Sequence, residues 1–482
     1  MNTQNLTLLT DLYELTMMQG YFETQENETV IFDVFFRNNP NNGGYSIMAG
    51  LDQVIDYIKN LNFSYEDVDY LRGLGIFTED FLHYLSGFHF SGDIYAIREG
   101  SVIFPKEPLL KIVAPIMEAQ LVETAILNII NHQCLIATKA SRVVYAAQGD
   151  GIMEFGLRRA QGPDAGLYGA RAAMIGGCVG TSNVLAGQMF DVPVIGTHAH
   201  SWIMSFKDEY TAFKEYARLY PNACTLLVDT YDTLKSGVPN AIRVFTEMRD
   251  AGIHPKSYGI RLDSGDLAYL SKKARKMLDE AGFTDAVIAA SNDLDEFLIN
   301  DLKIQGAKIG SWGVGTNLIT SKDCPSFGGV YKLSAIQNND GEFIPKIKIS
   351  ENVEKITNPG DKTIYRVYDK ETGKIRADLI CFADETWNEE DELLLFDPNA
   401  TWKKTRLPGG SYTMKEILLP IFKHGECIYE SPSVMEIAQF CKEEKETLWD
   451  ETKRLFNPHG VYVDLSRSLY DTKNRLLDDM SK

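Results

Sequence analysis

The stretch Tyr258-Gly259-Ile260-Arg261-Leu262-Asp263-Ser264-Gly265-Asp266-Leu267 decides the fold. An apolar, strand-like segment ends in a polar turn, and a helix begins at once. Behind the turn, Leu267, Leu270, Ala274, Leu278 and Ala281 recur at the i, i+3/i+4 spacing of one buried helix face. Ala281-Gly282 then supplies a stop signal. A strand followed directly by an amphipathic helix is a βα unit, and its next strand pairs in parallel.

Working outward, short apolar segments recur at residues 151–155, 175–180, 193–196, 224–228, 286–290, 307–309 and 329–333. Helical patterns at 207–220 and 241–252 separate some of them. Together with 258–262 they supply enough βα units to close a barrel, whereas fewer would leave an open doubly wound sheet. The reading is an α/β protein: an irregular (β/α) barrel over residues 141–333, carrying the active site, with a flanking α+β domain built from both chain ends. Residues 1–140 form the N-terminal part of that flank, with a β meander at 92–115. Residues 334–482 are β-rich and then helical, and are expected to pack on it, with turns at Pro359-Gly360 and Thr372-Gly373. The charged stretch 436–482 reads as a solvated terminal layer.

Acidic residues outnumber basic ones by 67 to 48, for a formal charge of −19. Nucleic acids and anionic membranes need a basic footprint, so neither is expected as a partner. Small anions are a different matter, because a few arginines in a cleft overrule the global sign. Seven cysteines form no C-x-x-C pair, and residues 1–21 carry Asp11 and Glu14 in place of a basic leader. No apolar run approaches the ~20 residues of a membrane span. A cytoplasmic protein is expected.

Polar residues crowd the ends of the strand segments: Glu154 and Arg158, Thr181-Ser182-Asn183, Thr197-His198-Ala199-His200, Asp229-Thr230, Ser291-Asn292-Asp293 and Gly313-Val314-Gly315-Thr316. In a parallel barrel these ends share one face, where active sites are built. Asp293 alone reads as a helix N-cap. Glycines at 313 and 315 let backbone N–H groups approach an anion, and the helix after them adds its dipole. No G-x-x-x-x-G-K-[ST] occurs. The run Gly176-Gly177-Cys178-Val179-Gly180 reads as a packing turn.

Strand alternation aims Arg261 and Asp263 the same way. The pair is either an internal salt bridge or an anion clamp beside a carboxylate suited to sugar hydroxyls or Mg²⁺. His198 and His200 stand open between zinc ligation, a phosphate-accepting or nucleophilic role, and ordinary satisfied polar groups. The remaining histidines are dispersed, which disfavours zinc.

Taken in order, Thr10-Asp11-Leu12-Tyr13-Glu14-Leu15-Thr16-Met17, Phe32-Asp33-Val34-Phe35-Phe36-Arg37, Glu154-Phe155-Gly156-Leu157-Arg158-Arg159, Gly196-Thr197-His198-Ala199-His200-Ser201, Arg261 to Leu267 and Gly313 to Asn317 resemble the nicotinate phosphoribosyltransferase family. The resemblance runs to about Leu333. It implies a type II phosphoribosyltransferase fold and an ATP-coupled reaction in NAD biosynthesis (salvage). Nicotinate and phosphoribosyl pyrophosphate give nicotinate mononucleotide and pyrophosphate through a phosphohistidine. It also implies Mg²⁺, ATP as co-substrate, no tightly bound organic cofactor, and a homodimer with shared active sites.

By position, the resemblance implies His200 as the phosphorylated histidine, its choice over His198 resting on register from Thr197. Asp229 and Asp263 match acidic positions near ribose and metal. Nicotinate contacts fall on Tyr13 (given across the dimer), Phe155, Arg158, Ser182, Thr197 and Arg261. Phosphoribosyl pyrophosphate contacts fall on Ser291, Asn292, Gly313, Gly315 and Thr316. Nicotinamide-using relatives carry aspartate where this chain has Ser182. That residue would repel a carboxylate, so Ser182 favours nicotinate over the runner-up, nicotinamide. An unrelated phosphate-binding barrel such as an aldolase would need a Schiff-base lysine at a strand end, for which Lys308 is the nearby candidate. A non-catalytic ligand sensor would lack the histidine or arginine motifs, and both are intact.

Overall fold

The structure is a computed structural model that describes residues 5–24, 26–351, 355–398, 400 and 402–480. The chain forms two compact units, one of residues 1–135, 326–432 and 439–482, the other of residues 136–325 and 433–438.

The second unit holds a parallel sheet of six strands: β1 (Gly151–Glu154), β2 (Gly180–Thr181), β3 (Cys224–Leu227), β4 (Tyr258–Leu262), β5 (Val287–Ser291) and β6 (Ser311–Val314). Their order is β2-β1-β6-β5-β4-β3. The register pairs Glu154 with Thr181 and with Val314, Ser291 with Gly313, and Leu227 with Arg261. These pairings set the carboxyl ends of all six strands side by side. The sheet curls into a half-barrel and does not close, because several expected strands are something else. Of residues 175–180, the first two end the helix α1 (Pro163–Gly176), whose Ala170, Ala172 and Ala173 are fully buried, 177–179 are turn and loop, and only Gly180 belongs to a strand, β2. Residues 193–196 supply one parallel bridge, Val194 to Thr181. Residues 307–309 are loop, and 329–333 lie in an antiparallel strand of the other unit.

Side-chain caps fix where helices begin. Asn183 accepts from the Ala186 N–H at 3.2 Å, starting α2 (Val184–Phe190). Asp266 accepts from Tyr269 at 2.9 Å, starting α3 (Leu267–Glu280), and Asp295 from Leu298 at 2.7 Å, starting α4 (Glu296–Ile304). Each such bond is worth about 1 kcal/mol. The cap of α4 is therefore Asp295 and not Asp293. Gly259 is needed in β4, since a Cβ there would stand 1.9 Å from the Val287 carbonyl oxygen.

A buried ion cluster ties α4 to the chain that enters the sheet. The Glu296 side chain is fully buried and meets Lys139 at 2.6 Å and Arg142 at 2.9 Å, and Lys139 also reaches Asp323 at 2.8 Å.

The first unit carries a seven-stranded sheet. Strand Thr29–Phe36 lies between Leu110–Pro115 and Gly329–Gln337, so both chain ends build it. Asp33, buried in that strand, is neutralised by Lys362 at 2.8 Å. A six-stranded sheet follows, in which Tyr462–Leu465 is an interior strand beside Ile375–Phe382. The stretch 436–482 is therefore not only a solvated layer. Its sheet also buries Arg366, paired with Asp378 at 2.7 Å and Glu444 at 3.1 Å.

Replacing Glu296 with alanine leaves buried Arg142 without its carboxylate and takes one of two from Lys139. It should cost about 3–5 kcal/mol, the usual consequence of breaking a buried ion pair from one side. Urea unfolding of the E296A protein measures it, and a loss below about 1 kcal/mol would contradict the cluster's role.

Candidate active site

The register of β4 places two of the polar groups in the half-barrel's centre. Arg261 is its penultimate residue and Asp263 follows its end, so both face the same side of the sheet. One Arg261 Nη donates to the Thr197 hydroxyl and, at 3.3 Å, to the His198 carbonyl oxygen. The other approaches Asp263 at 3.5 Å. Only 15% of the Arg261 side chain is exposed. Burial pulls its pKa below the ordinary arginine value, opposed by Asp263 and Asp229, while the charge of Arg158 adds to the lowering. Of the two readings, the internal salt bridge is the one these contacts make. Asp263 holds the guanidinium from one side, and Thr197 orients it.

Asp263 is the junction. One carboxylate oxygen accepts the Ser291 hydroxyl from the end of β5. The other stands 3.7 Å from His200 Nε2. Its backbone N–H donates to Asp229 at 2.8 Å, and the neighbouring Ser264 hydroxyl donates to the same Asp229 oxygen at 2.8 Å. The second oxygen of Asp229 is buried without a hydrogen-bond partner.

The two histidines part ways. His198 is buried, its Nε2 accepts the Leu227 N–H at 3.3 Å, and its ring packs edge-on against Tyr216 with centroids 4.6 Å apart. Burial lowers its pKa to about 4, with smaller contributions from Arg261 and His200. His198 is thus a neutral structural ring. His200 opens the short helix at His200–Met204, is 40% exposed, and lies 3.0 Å through Nδ1 from the Thr230 hydroxyl.

At the other edge, the Phe155 N–H donates to the Val314 carbonyl at 2.8 Å. A Cβ on Gly313 would stand 2.6 Å from the Phe155 ring and 3.5 Å from Ser291 Cβ. Gly313 is glycine because an aromatic ring lies on it, and that contact joins Phe155 to the Ser291–Asp263–Arg261 array. The helix after the loop, Thr316–Ile319, spans a single turn, so the loop amides matter more than its dipole. Ser182 is half-buried next to Thr181, while Arg158 and Arg159 are exposed. Asn292 is exposed at φ 122°. Tyr13, half-exposed, belongs to the first unit. Lys308 is exposed in the loop that enters β6, at the opposite strand end from these groups.

Thr230 and Ser264 were visible in the sequence as strand-end polar residues but carried no distinct role there. Only the register shows that they hold His200 and Asp229. Glu154 is a third such residue, fully buried.

An arginine, hydroxyls, paired carboxylates and a half-exposed imidazole thus gather on the carboxyl edge of an open parallel half-barrel. A crystal structure of human nicotinic acid phosphoribosyltransferase matches the fold with a TM-score of 0.84 at 28% identity, over 97% of this chain and 99% of that one. The nicotinate phosphoribosyltransferase (NAPRTase) family model matches residues 151–372, its N-terminal domain residues 8–131 and its C-terminal domain residues 361–473. A nicotinate phosphoribosyltransferase of Bacillus subtilis is 46% identical over 99% of this chain and 96% of its own length. One of Caenorhabditis elegans is 36% identical over 96% of this chain and 92% of its own. The chain belongs to the nicotinate phosphoribosyltransferase family.

The His198 arrangement carries a pH signature. Its folded pKa, about 4, lies below the unfolded value of about 6.5. The contribution of the neutral ring is full above pH about 6.5 and is lost as pH falls toward about 4, since the unfolded chain takes the proton first. His198→Gln keeps an acceptor for the Leu227 N–H and should lose less stability than the native protein between pH 7 and pH 5, read from urea midpoints.

Proposed function

We propose that this chain is an ATP-coupled nicotinate phosphoribosyltransferase of NAD biosynthesis. The carrying observation is the single array Thr197–Arg261–Asp263–His200, with Ser291 and Asp229 bound to Asp263. Nicotinate is a flat carboxylate. Phe155 offers it a ring face, and Arg261, oriented by Thr197, offers a cation that burial keeps poorly hydrated. Ser182 leaves room for a carboxylate where an acid would repel it.

In the reaction, the pyridine nitrogen lone pair forms the bond to ribose C1′. The C1′–oxygen bond to pyrophosphate breaks, and its electron pair leaves with the pyrophosphate. Positive charge grows on the sugar as it does in glycoside cleavage, and the carboxylates of Asp263 and Asp229 suit it. The N–H groups around Gly313, Gly315 and Thr316, with Ser291 and Asn292, suit the phosphates. ATP would give its γ-phosphoryl group to the His200 imidazole and leave as ADP, and water would later take that phosphate off. Thr230 holds Nδ1, so Nε2 is the ring nitrogen turned toward Asp263.

The site also suits Mg²⁺. Asp229 has a buried oxygen without a partner, and Asp263 adds a second hard donor. Among the described residues no cluster of three or more His, Cys, Asp or Glu is arranged for a metal. That fits an ion held by one or two carboxylates plus substrate oxygens. When bound it would offset the charge of the departing pyrophosphate. Tyr13, supplied by a second copy of the chain, would complete the base site in a homodimer. Seven cysteines outside any disulfide favour a reducing cytoplasm, and no described helix is long and apolar enough to cross a membrane.

Incubation with γ-labelled ATP should place acid-labile phosphate on His200, and His200→Ala should abolish both the label and the ATP stimulation. Label persisting in H200A would refute the assignment. Turnover should favour nicotinate over nicotinamide, and Ser182→Asp should weaken nicotinate use by about tenfold or more through like-charge repulsion. Faster turnover of nicotinamide by the native enzyme would overturn the substrate.

A further inference from the structure

Glu154 is the last residue of β1 and is 0% exposed, yet neither of its hydrogen-bonded partners is a cation. One carboxyl oxygen accepts the Gly156 N–H, and the other meets the Thr181 hydroxyl at 2.5 Å. The Glu154 carbonyl accepts the Ser182 N–H at 3.0 Å. The Thr181 hydroxyl in turn accepts the Asn183 N–H at 3.0 Å. Burial raises the carboxyl's pKa, and the two hydrogen bonds offset only part of that. A buried carboxyl without a countercharge is costly, and apolar packing would serve stability better. A carboxyl in this place asks for a role that a hydrophobic side chain could not fill.

The geometry supplies one. Glu154 lies between the backbone that carries Phe155 and the backbone that carries Ser182, and it grips both. Gly156, just past Phe155, is held by one oxygen, and Thr181, just before Ser182, by the other. Gly156 packs closely in this place, since a Cβ there would meet Ile319 Cβ at 2.4 Å and Glu154 Oε1 at 2.9 Å. Thr181 is locked by its own strand bonds, donating to Pro193 at 3.0 Å and accepting from Ile195 at 2.9 Å.

We propose that Glu154 is a positioning residue that fixes the gap between Phe155 and Ser182, and so sets recognition of the pyridine carboxylate. This rests on the nicotinate reading above, in which those two residues line the base site. Glu154 acts through its neighbours and touches no reacting atom. Its loss should therefore fall on base binding and spare both the phosphoribosyl half of the site and the chemical step.

The test is steady-state kinetics with nicotinate and phosphoribosyl pyrophosphate varied separately. Thr181→Val removes the hydroxyl at constant shape and should raise the KM for nicotinate about 10- to 100-fold, the scale of a misplacement near 1 Å. The KM for phosphoribosyl pyrophosphate should stay within about twofold and kcat within about threefold. Thr181→Ser restores a hydroxyl and should return the nicotinate KM to near the native value. If the valine variant does not fold, Glu154→Met, which removes both acceptors, carries the test with the same expected split. An unchanged nicotinate KM, an equal rise in both KM values, or no rescue by serine overturns the proposal while native turnover stands. Native enzyme that does not use nicotinate overturns the parent reading and this one with it.

Discussion

The carboxylate of Asp263 is the constraint on which the site depends. It sits one residue past β4, and within its reach lie a guanidinium from the same strand, a hydroxyl from β5 and the imidazole of His200, which opens the helix His200–Met204. Its own amide is anchored to Asp229 beyond β3. Four chain segments thus converge on one residue, and parallel register is what makes that possible. A slip of β4 by one position would send Arg261 and Asp263 to the other face together. Gly259, pressed against the Val287 carbonyl, allows β4 and β5 to approach closely enough to hold that register.

Charge follows the same local logic. The chain carries −19 overall, and every substrate proposed for it is an anion. Arg261 is buried among polar partners, so its field is little screened, and Arg158 is near enough to act on it. Net charge describes the surface as a whole. The centre of the half-barrel is governed by a few groups that burial has stripped of water.

How much of this was legible in the sequence varied with distance along the chain. The βα unit at 258–282 was readable whole, because strand, turn, cap and helix are all local patterns. The polar strand ends were readable as a set for the same reason. What failed was partner choice. Residues 329–333 have the apolar look of a barrel strand, yet they pair antiparallel with Thr29–Phe36, a partner some 300 residues away that no local pattern announces. The segment 175–180 looks apolar, yet the chain leaves a helix at Gly176 and enters β2 only at Gly180. Tyr462–Leu465 is four residues long between charged helices, too short to stand out, and becomes a strand only because the sheet has room for it. In the site, the two histidines could not be told apart by residue type. Burial separated them, leaving one neutral against Tyr216 and the other facing a carboxylate.

The seven-stranded sheet of the first unit has a consequence for synthesis. Strand Thr29–Phe36 finds one neighbour early, in Leu110–Pro115, but its other neighbour, Gly329–Gln337, leaves the ribosome only after all of residues 136–325. The half-barrel sequence is therefore complete while one edge of an apolar strand still waits unpaired. An open edge of that kind is a template for wrong pairings. The nascent chain passes that interval with the half-barrel strands made and the neighbouring sheet unfinished, which makes the first unit the place where translation speed and chaperones bear on folding.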